Sequence, residues 1–173
     1  MNYPIPRHLT EILRVSDFDG NNLDGKIVCT CGCNSFGIKY FGGILSDGGL
    51  SVEKYGERYA LVVKAVCRDC GKEWLIFDLS KHGFDGLVNE SGVAVPEESL
   101  IRYSCCDDSV YEIEVGIETE DPEQFIEEVV NEEFSDGKFS PEDYVDAFDW
   151  LVVHLKCTTC GKEFKDWINL ELS

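Results

Sequence analysis

Residues 67–74 read CRDCGKEW and residues 157–164 read CTTCGKEF. The chain has nine cysteines: Cys29, Cys31, Cys33, Cys67, Cys70, Cys105, Cys106, Cys157 and Cys160. So many thiols can serve disulfides, redox chemistry or metal binding. Disulfides suit oxidising compartments, and the opening MNYPIPRHLTEIL lacks the basic-then-apolar plan of a secretion signal. The expectation is a cytoplasmic protein with reduced thiols. A thioredoxin-like redox C-x-x-C sits in a βαβ context, whereas apolar strand patterns flank both phrases here. Metal binding fits best. Zinc takes four soft ligands at tetrahedral corners, and a two-residue spacer lets one tight turn offer two sulfurs to one ion. Gly71 and Gly161 follow the second cysteine of each phrase, where such a turn often needs a positive φ.

Each knuckle needs an upstream pair. VCTCGCNSF (28–36) precedes the first and YSCCDDSVY (103–111) the second. This assigns Cys31, Cys33, Cys67 and Cys70 to one site, with Cys29 an alternative to Cys31. It assigns Cys105, Cys106, Cys157 and Cys160 to a second. The adjacency of Cys105 and Cys106 leaves two alternatives open there: a copy that has lost its metal, or a ligand swap to Asp107, Asp108 or His154. The expected cofactor is zinc, one or two structural ions. Lys72 and Lys162 would partly screen the surplus negative charge of a four-thiolate zinc.

The elements around these residues repeat as well. FGIKYF (36–41) and VYEIEVGIE (110–118) follow the upstream pairs. ALVVKAV (60–66) and WLVVHL (150–155) lead into the knuckles, and EWLIFDL (73–79) and EFKDWINL (163–170) leave them. In the second strand Tyr111, Ile113, Val115 and Ile117 share one face. Each unit is then three antiparallel strands around a metal clasp, with Trp74, Phe77, Trp150, Phe164 and Trp167 expected in the core. The Gly-rich stretch 42–58 reads as a hairpin extension or long loop. In the second unit Asp121, Pro122 and Gln124 signal a helix start, with Phe125, Ile126, Val129 and Val130 at helical spacing and expected to pack on the sheet. Ser140, Pro141 and Asp143 signal a second, short helix. PRHLTEILRVSDF fits an N-terminal helix with Leu9, Ile12 and Leu13 inward. Counted from Asp17, a calcium loop would need Gly at the sixth position and Glu at the twelfth, where Asn22 and Val28 stand, so residues 17–25 read as a turn. His8 and His82 are expected at the surface.

This arrangement resembles the zinc-ribbon group, in which two knuckles at β-hairpin ends hold one zinc. The likeness rests on CRDCGK and CTTCGK and covers about two-thirds of the chain. It implies a mainly β fold with inserted helices (α+β), built from two zinc-ribbon-like antiparallel units. The divisions are an N-terminal helix and turn (1–26), a first unit (27–80), a linker (81–100), and a second unit (101–173) carrying an acidic helical insertion (121–149).

The net charge is −19. Between Glu97 and Trp150 stand nineteen Asp or Glu against Arg102 and Lys138, so one region carries almost the whole excess. A nucleic-acid backbone, bound through Lys and Arg that displace counterions, is a poor partner for that region; a basic protein suits it. Nothing reaches the about 18 apolar residues of a membrane helix. No phosphate-loop, nucleophile-elbow or H-E-x-x-H motif occurs, and four-thiolate zinc sites are closed to substrate. The expectation is a non-enzymatic protein-binding module. Glu127, Glu128, Glu132 and Glu133 would contact a basic partner. In size, acidity and want of catalytic motifs the chain resembles bacterial toxin-neutralising immunity proteins. The zinc-ribbon resemblance implies the alternative, a part of the transcription or RNA-processing machinery, with Lys39, Lys54, Arg58, Lys64, Arg68 and Lys72 as a modest basic patch. Zinc storage or sensing is a third possibility.

Overall fold

A computed structural model of the chain describes residues 2–132 and 136–173. It is mainly β with short helices. Strands β1 (Leu13–Phe18) and β2 (Asn22–Ile27) form a hairpin. Its turn is held by the Asp19 carboxylate, which accepts the N–H groups of Asn21 and Asn22 at 2.9 and 2.7 Å. The expected N-terminal helix is only a 3-10 turn, Arg7–Leu9. Leu9, Ile12 and Leu13 are buried as expected, but Leu13 pairs with Ile27 in the sheet. Helical spacing thus gives way to tertiary pairing.

The first meander is β3 (Phe36–Phe41), β8 (Val62–Cys67) and β9 (Glu73–Asp78). Between β3 and β8 lie two small hairpins, β4 (Gly43–Ile44) with β5 (Leu50–Ser51) and β6 (Glu53–Tyr55) with β7 (Arg58–Ala60). Edge strand β10 (Ile101–Tyr103) pairs with β3. The second meander is β11 (Tyr111–Glu118), β12 (Trp150–Cys157) and β13 (Glu163–Glu171). Strand β2 pairs with the other edge of β11. One pairing, Tyr111 opposite Phe36, joins the meanders into a nine-stranded sheet. Phe36 and Tyr111 are both fully buried.

The pairing has an internal symmetry. Phe36 lies opposite Cys67, and Tyr111 opposite Cys157. Just beyond, Arg68 N–H donates to Ser35 O at 3.0 Å and Thr158 N–H to Val110 O at 2.9 Å. The antiparallel Phe36–Tyr111 bridge acts as a local two-fold between the units. Cys67 and Cys157 are therefore three strand spacings apart, about 14 Å at the usual interstrand distance.

Alternation decides the core. Tyr111, Ile113, Val115 and Ile117 are buried, with Phe36, Phe77, Leu151, Val153 and Trp167. Trp74 and Phe164 join them; Trp150 is only partly buried, its indole N–H donating to Asn169 Oδ1 at 2.6 Å. The inserted segment begins where expected: Asp121 caps α2 (Pro122–Phe125), which runs into a π-turn over Ile126–Val130. Ser140 and Asp143 form a capping box on the 3-10 segment Pro141–Asp146. Its apolar stripe does not pack on the sheet. Phe125 and Val129 close over Ala147 and meet Phe84, Leu87 and Val88, because the stretch expected as a linker contains α1 (Gly83–Leu87). His82, preceding α1, is buried rather than solvated. It stacks on His8 with ring centres 3.6 Å apart and planes 6° apart. His8 in turn bonds Ile76 O through Nε2 at 3.0 Å, so it too leaves the surface. Among the described residues no helix is long and apolar enough to cross a membrane.

Candidate metal centres

Both C-x-x-C phrases fold into the same turn. Gly71 N–H donates to Cys67 O and Cys67 N–H to Lys72 O, each at 2.9 Å; Gly161 N–H donates to Cys157 O at 2.9 Å and Cys157 N–H to Lys162 O at 2.8 Å. Gly71 and Gly161 stand at φ 73° and 77°. The space around both is open, so the requirement for glycine is backbone conformation, not room.

Each turn faces an upstream pair. In the first unit the sulfurs of Cys29, Cys31, Cys67 and Cys70 all lie within 4.8 Å of one another; in the second, those of Cys105, Cys106, Cys157 and Cys160 do. The closest separations are 3.5 Å (Cys31–Cys67), 3.6 Å (Cys29–Cys70), 3.6 Å (Cys105–Cys160) and 3.7 Å (Cys106–Cys157). Zinc–sulfur bonds of about 2.3 Å at tetrahedral corners place sulfurs about 3.8 Å apart, so both groups fit one metal ion each. None of the nine cysteines forms a disulfide. The pairing is the same in both units. The first upstream cysteine, Cys29 or Cys105, meets the second of the knuckle; the last ligand upstream, Cys31 or Cys106, meets the first.

Cys33, expected as a ligand, stands outside the foursome and Cys29 takes its place. Spacing alone is ambiguous, because C-x-C occurs twice in Cys29-Thr30-Cys31-Gly32-Cys33. Sheet position resolves it. Cys29 lies two residues past the end of β2, is buried, and receives the indole N–H of Trp74 at 3.3 Å. A Trp one position after the GKE run was a legible aromatic, but nothing in the pattern announced it as a donor to sulfur. In the second unit the adjacent Cys105 and Cys106 both join the group. Asp107 and Asp108 are exposed and outside it, and His154 Nδ1 instead accepts the Asp166 N–H at 2.9 Å. Cys105 N–H is held by the Tyr111 hydroxyl at 3.0 Å.

The thiols of each group are unequal. Burial opposes ionisation of Cys157, but the N–H groups of Cys160 and Thr159 outweigh it and bring the thiol to about 6. Cys67 is lowered likewise, burial being outweighed by the N–H groups of Cys70 and Asp69. In Cys29 burial is outweighed by the N–H groups of Cys31 and Trp74, giving about 6. Their neighbours move the other way. Cys106 is pushed up to about 12 by burial and by the Cys157 sulfur. Cys31 rises to about 12: the Cys33 N–H favours its thiolate, but the sulfur of Cys67 prevails. Sulfurs this close cannot all ionise together without a cation among them, so each group is suited to holding a metal ion.

Lys72 Nζ lies 4.0 Å from the centre of the Trp74 ring and Lys162 Nζ 4.8 Å from that of Phe164, so both lysines of the repeated phrase cover the aromatic two residues on. Of the acidic residues expected to meet a partner, Glu127, Glu128 and Glu132 are exposed on the inserted segment. Glu133 lies outside the described residues. No protein-family model matches the chain, and no curated protein or solved structure does.

Proposed function

We propose that the protein is a non-enzymatic binding module, stabilised by two structural zinc ions, that docks a basic protein through its acidic insertion in the manner of an immunity or antitoxin protein. The observation that carries the reading is the pair of four-sulfur groups. Four thiolates complete a tetrahedral shell and leave no position for a substrate, so the ions would serve the fold, and recognition must use the surface. The most distinctive surface is the insertion. Its apolar residues are turned onto Ala147 and α1, and Glu127 and Glu128 face solvent. A negative face of this kind speeds encounter with a cationic partner.

The alternative, contact with nucleic acid in transcription or RNA processing, is less well supported. Part of the candidate basic patch is tied up within the chain: Lys39 and Lys64 face carboxylates, and Arg58 is held by a backbone carbonyl. Lys39 pairs with Glu73 at 3.0 Å and with Glu97 at 3.7 Å, Lys64 pairs with Glu97, and Arg58 bonds the Glu90 carbonyl.

Capture of host proteins on the immobilised zinc-loaded protein tests the proposal. A basic protein retained at low salt and lost with the triple variant Glu127→Lys, Glu128→Lys, Glu132→Lys is expected. Retention unchanged by the triple variant would overturn the docking face, and retention of RNA instead would favour the alternative.

A further inference from the structure

Cys33 is the one cysteine with no counterpart. Matching the clusters by their contacts sets Cys29 against Cys105, Cys31 against Cys106, Cys67 against Cys157 and Cys70 against Cys160. That exhausts the second unit's sulfurs and leaves a fifth thiol beside the first site only. Cys33 is partly buried and packs against the core cluster that contains Cys29 and Cys67, two residues from Cys31, which meets the Cys67 sulfur at 3.5 Å. Its contacts with Ser35 are weak, and Asp69 also lies within hydrogen-bonding reach of the thiol. The thiol lies 3.4 Å from Ser35 O and receives the Ser35 N–H at 3.4 Å, and sulfur is a poor partner in either role.

The ligand it adjoins is the least anchored of the four. Cys29 and Cys67 are buried, Cys29 under the Trp74 N–H. Cys70 belongs to the knuckle. Cys31 is exposed at the tip of a turn between exposed Thr30 and Gly32. That turn is closed by Gly32 N–H to Cys29 O and Cys29 N–H to Cys33 O, both at 2.8 Å. The second bond fixes the backbone of Cys33 against that of Cys29, so Cys33 is held next to the site whether or not Cys31 occupies its corner.

We propose that Cys33 is a reserve ligand of the first metal site, able to take the corner vacated by Cys31. The inference rests on zinc being the resident ion. Exchange of one thiolate for another changes neither the charge of the complex nor the oxidation state of any atom; the incoming thiol gives up its proton and the outgoing thiolate takes one. The first site can therefore lose Cys31 and stay closed, whereas the second has no spare thiol to replace Cys106.

The test uses the full chain loaded with zinc, as wild type, Cys31→Ser, Cys33→Ser and the Cys31→Ser/Cys33→Ser double variant. Zinc per chain is read by elemental analysis, and thiol protection by iodoacetamide labelling with mass spectrometry. Wild type and Cys33→Ser should each hold two zinc ions, and Cys31→Ser should hold two as well, while the double variant holds one. Cys33 should label in the wild type and become at least tenfold slower to label in Cys31→Ser. The second site serves as internal control for folding. A Cys31→Ser variant holding one zinc, a double variant holding two, or equal labelling of Cys33 in wild type and Cys31→Ser would each overturn the proposal, as would loss of a zinc in Cys33→Ser. A wild type with no zinc would instead remove the reading on which it rests.

Discussion

The two clusters are built on one turn and one strand order, yet they are supported differently. In the first, Cys29 and Cys31 are separated by Thr30, and the chain between them turns so that its own N–H groups and the Trp74 indole reach sulfur. In the second, Cys105 and Cys106 are adjacent, and the support is a hydroxyl from the next strand, Tyr111, which holds the Cys105 backbone. Hydrogen bonds to thiolate stabilise the ligand form. The comparison teaches that the knuckle is the conserved part of the design within this molecule and the upstream pair is the adjustable part. One unit adjusts it with extra donors and an extra thiol; the other relies on the sheet.

The largest test of that difference removes the first cysteine of each knuckle. Cys67→Ser and Cys157→Ser should each lose one zinc. Structural zinc contributes on the order of 10 kcal/mol to small folds, so each loss should also abolish the cooperative thermal transition of its own unit. Because the units meet at Phe36 and Tyr111, calorimetry should show the surviving unit melting lower too. An unshifted surviving transition would mean that the units are energetically separate.

A second difference is in the response to pH. His8 and His82 attach the N-terminal turn to β9. Burial is the main cause that lowers both, His82 to about 2, with His8 and then Lys81 adding to the effect on His82 and the Ile76 carbonyl and Asp146 opposing it on His8. The stability they contribute is whole above the ordinary value of 6.5 and falls as pH drops below it, by roughly 1.4 kcal/mol per pH unit for each imidazole kept neutral. In the second unit Glu120 is raised to about 7 by burial first and by the charge of Asp149 next. Its contribution is whole below 4.5 and is lost as pH rises through about 7. Melting temperatures of the zinc-loaded protein between pH 5 and 8, taken as variant minus wild type, separate the two. His82→Asn should flatten the acid limb and Glu120→Gln the neutral limb. Parallel curves for either variant would contradict the assignment.

A smaller effect is expected at the bridge itself. Tyr111→Phe keeps the buried ring and removes the acceptor for Cys105 N–H. A fully buried donor left unpaired costs about 1–3 kcal/mol, and this part-buried one should cost about 1 kcal/mol. Zinc should leave the second site for a chelator faster than in wild type while the first site is unchanged; equal acceleration at both would mean that the hydroxyl serves the core, not the cluster.

Much of this was legible from the sequence, for particular reasons. The strands flanking both knuckles were visible because their faces alternate, as in Tyr111, Ile113, Val115 and Ile117. The caps at Asp121 and Ser140 were visible because capping is local chemistry. What stayed hidden depended on distant partners. Cys29 and Cys33 are equivalent by spacing, and only the position of β2 and the Trp74 N–H separate them. Leu9, Ile12 and Leu13 have helical spacing, but Ile27 offers Leu13 a strand partner from fourteen residues away. His82 reads as a loop residue until His8 arrives to stack on it. The stripe of Phe125 and Val129 found α1 in a segment that had no strong periodicity.

The claim on which the rest depends is that two sets of four sulfurs each hold an ion that keeps the fold. Native mass spectrometry of the purified protein, before and after exhaustive chelation and with circular dichroism on the same samples, tests it directly. Two zinc ions per chain, and loss of the native spectrum when both are removed, are the expected result. A metal-free chain that keeps its spectrum and its thermal transition would contradict it.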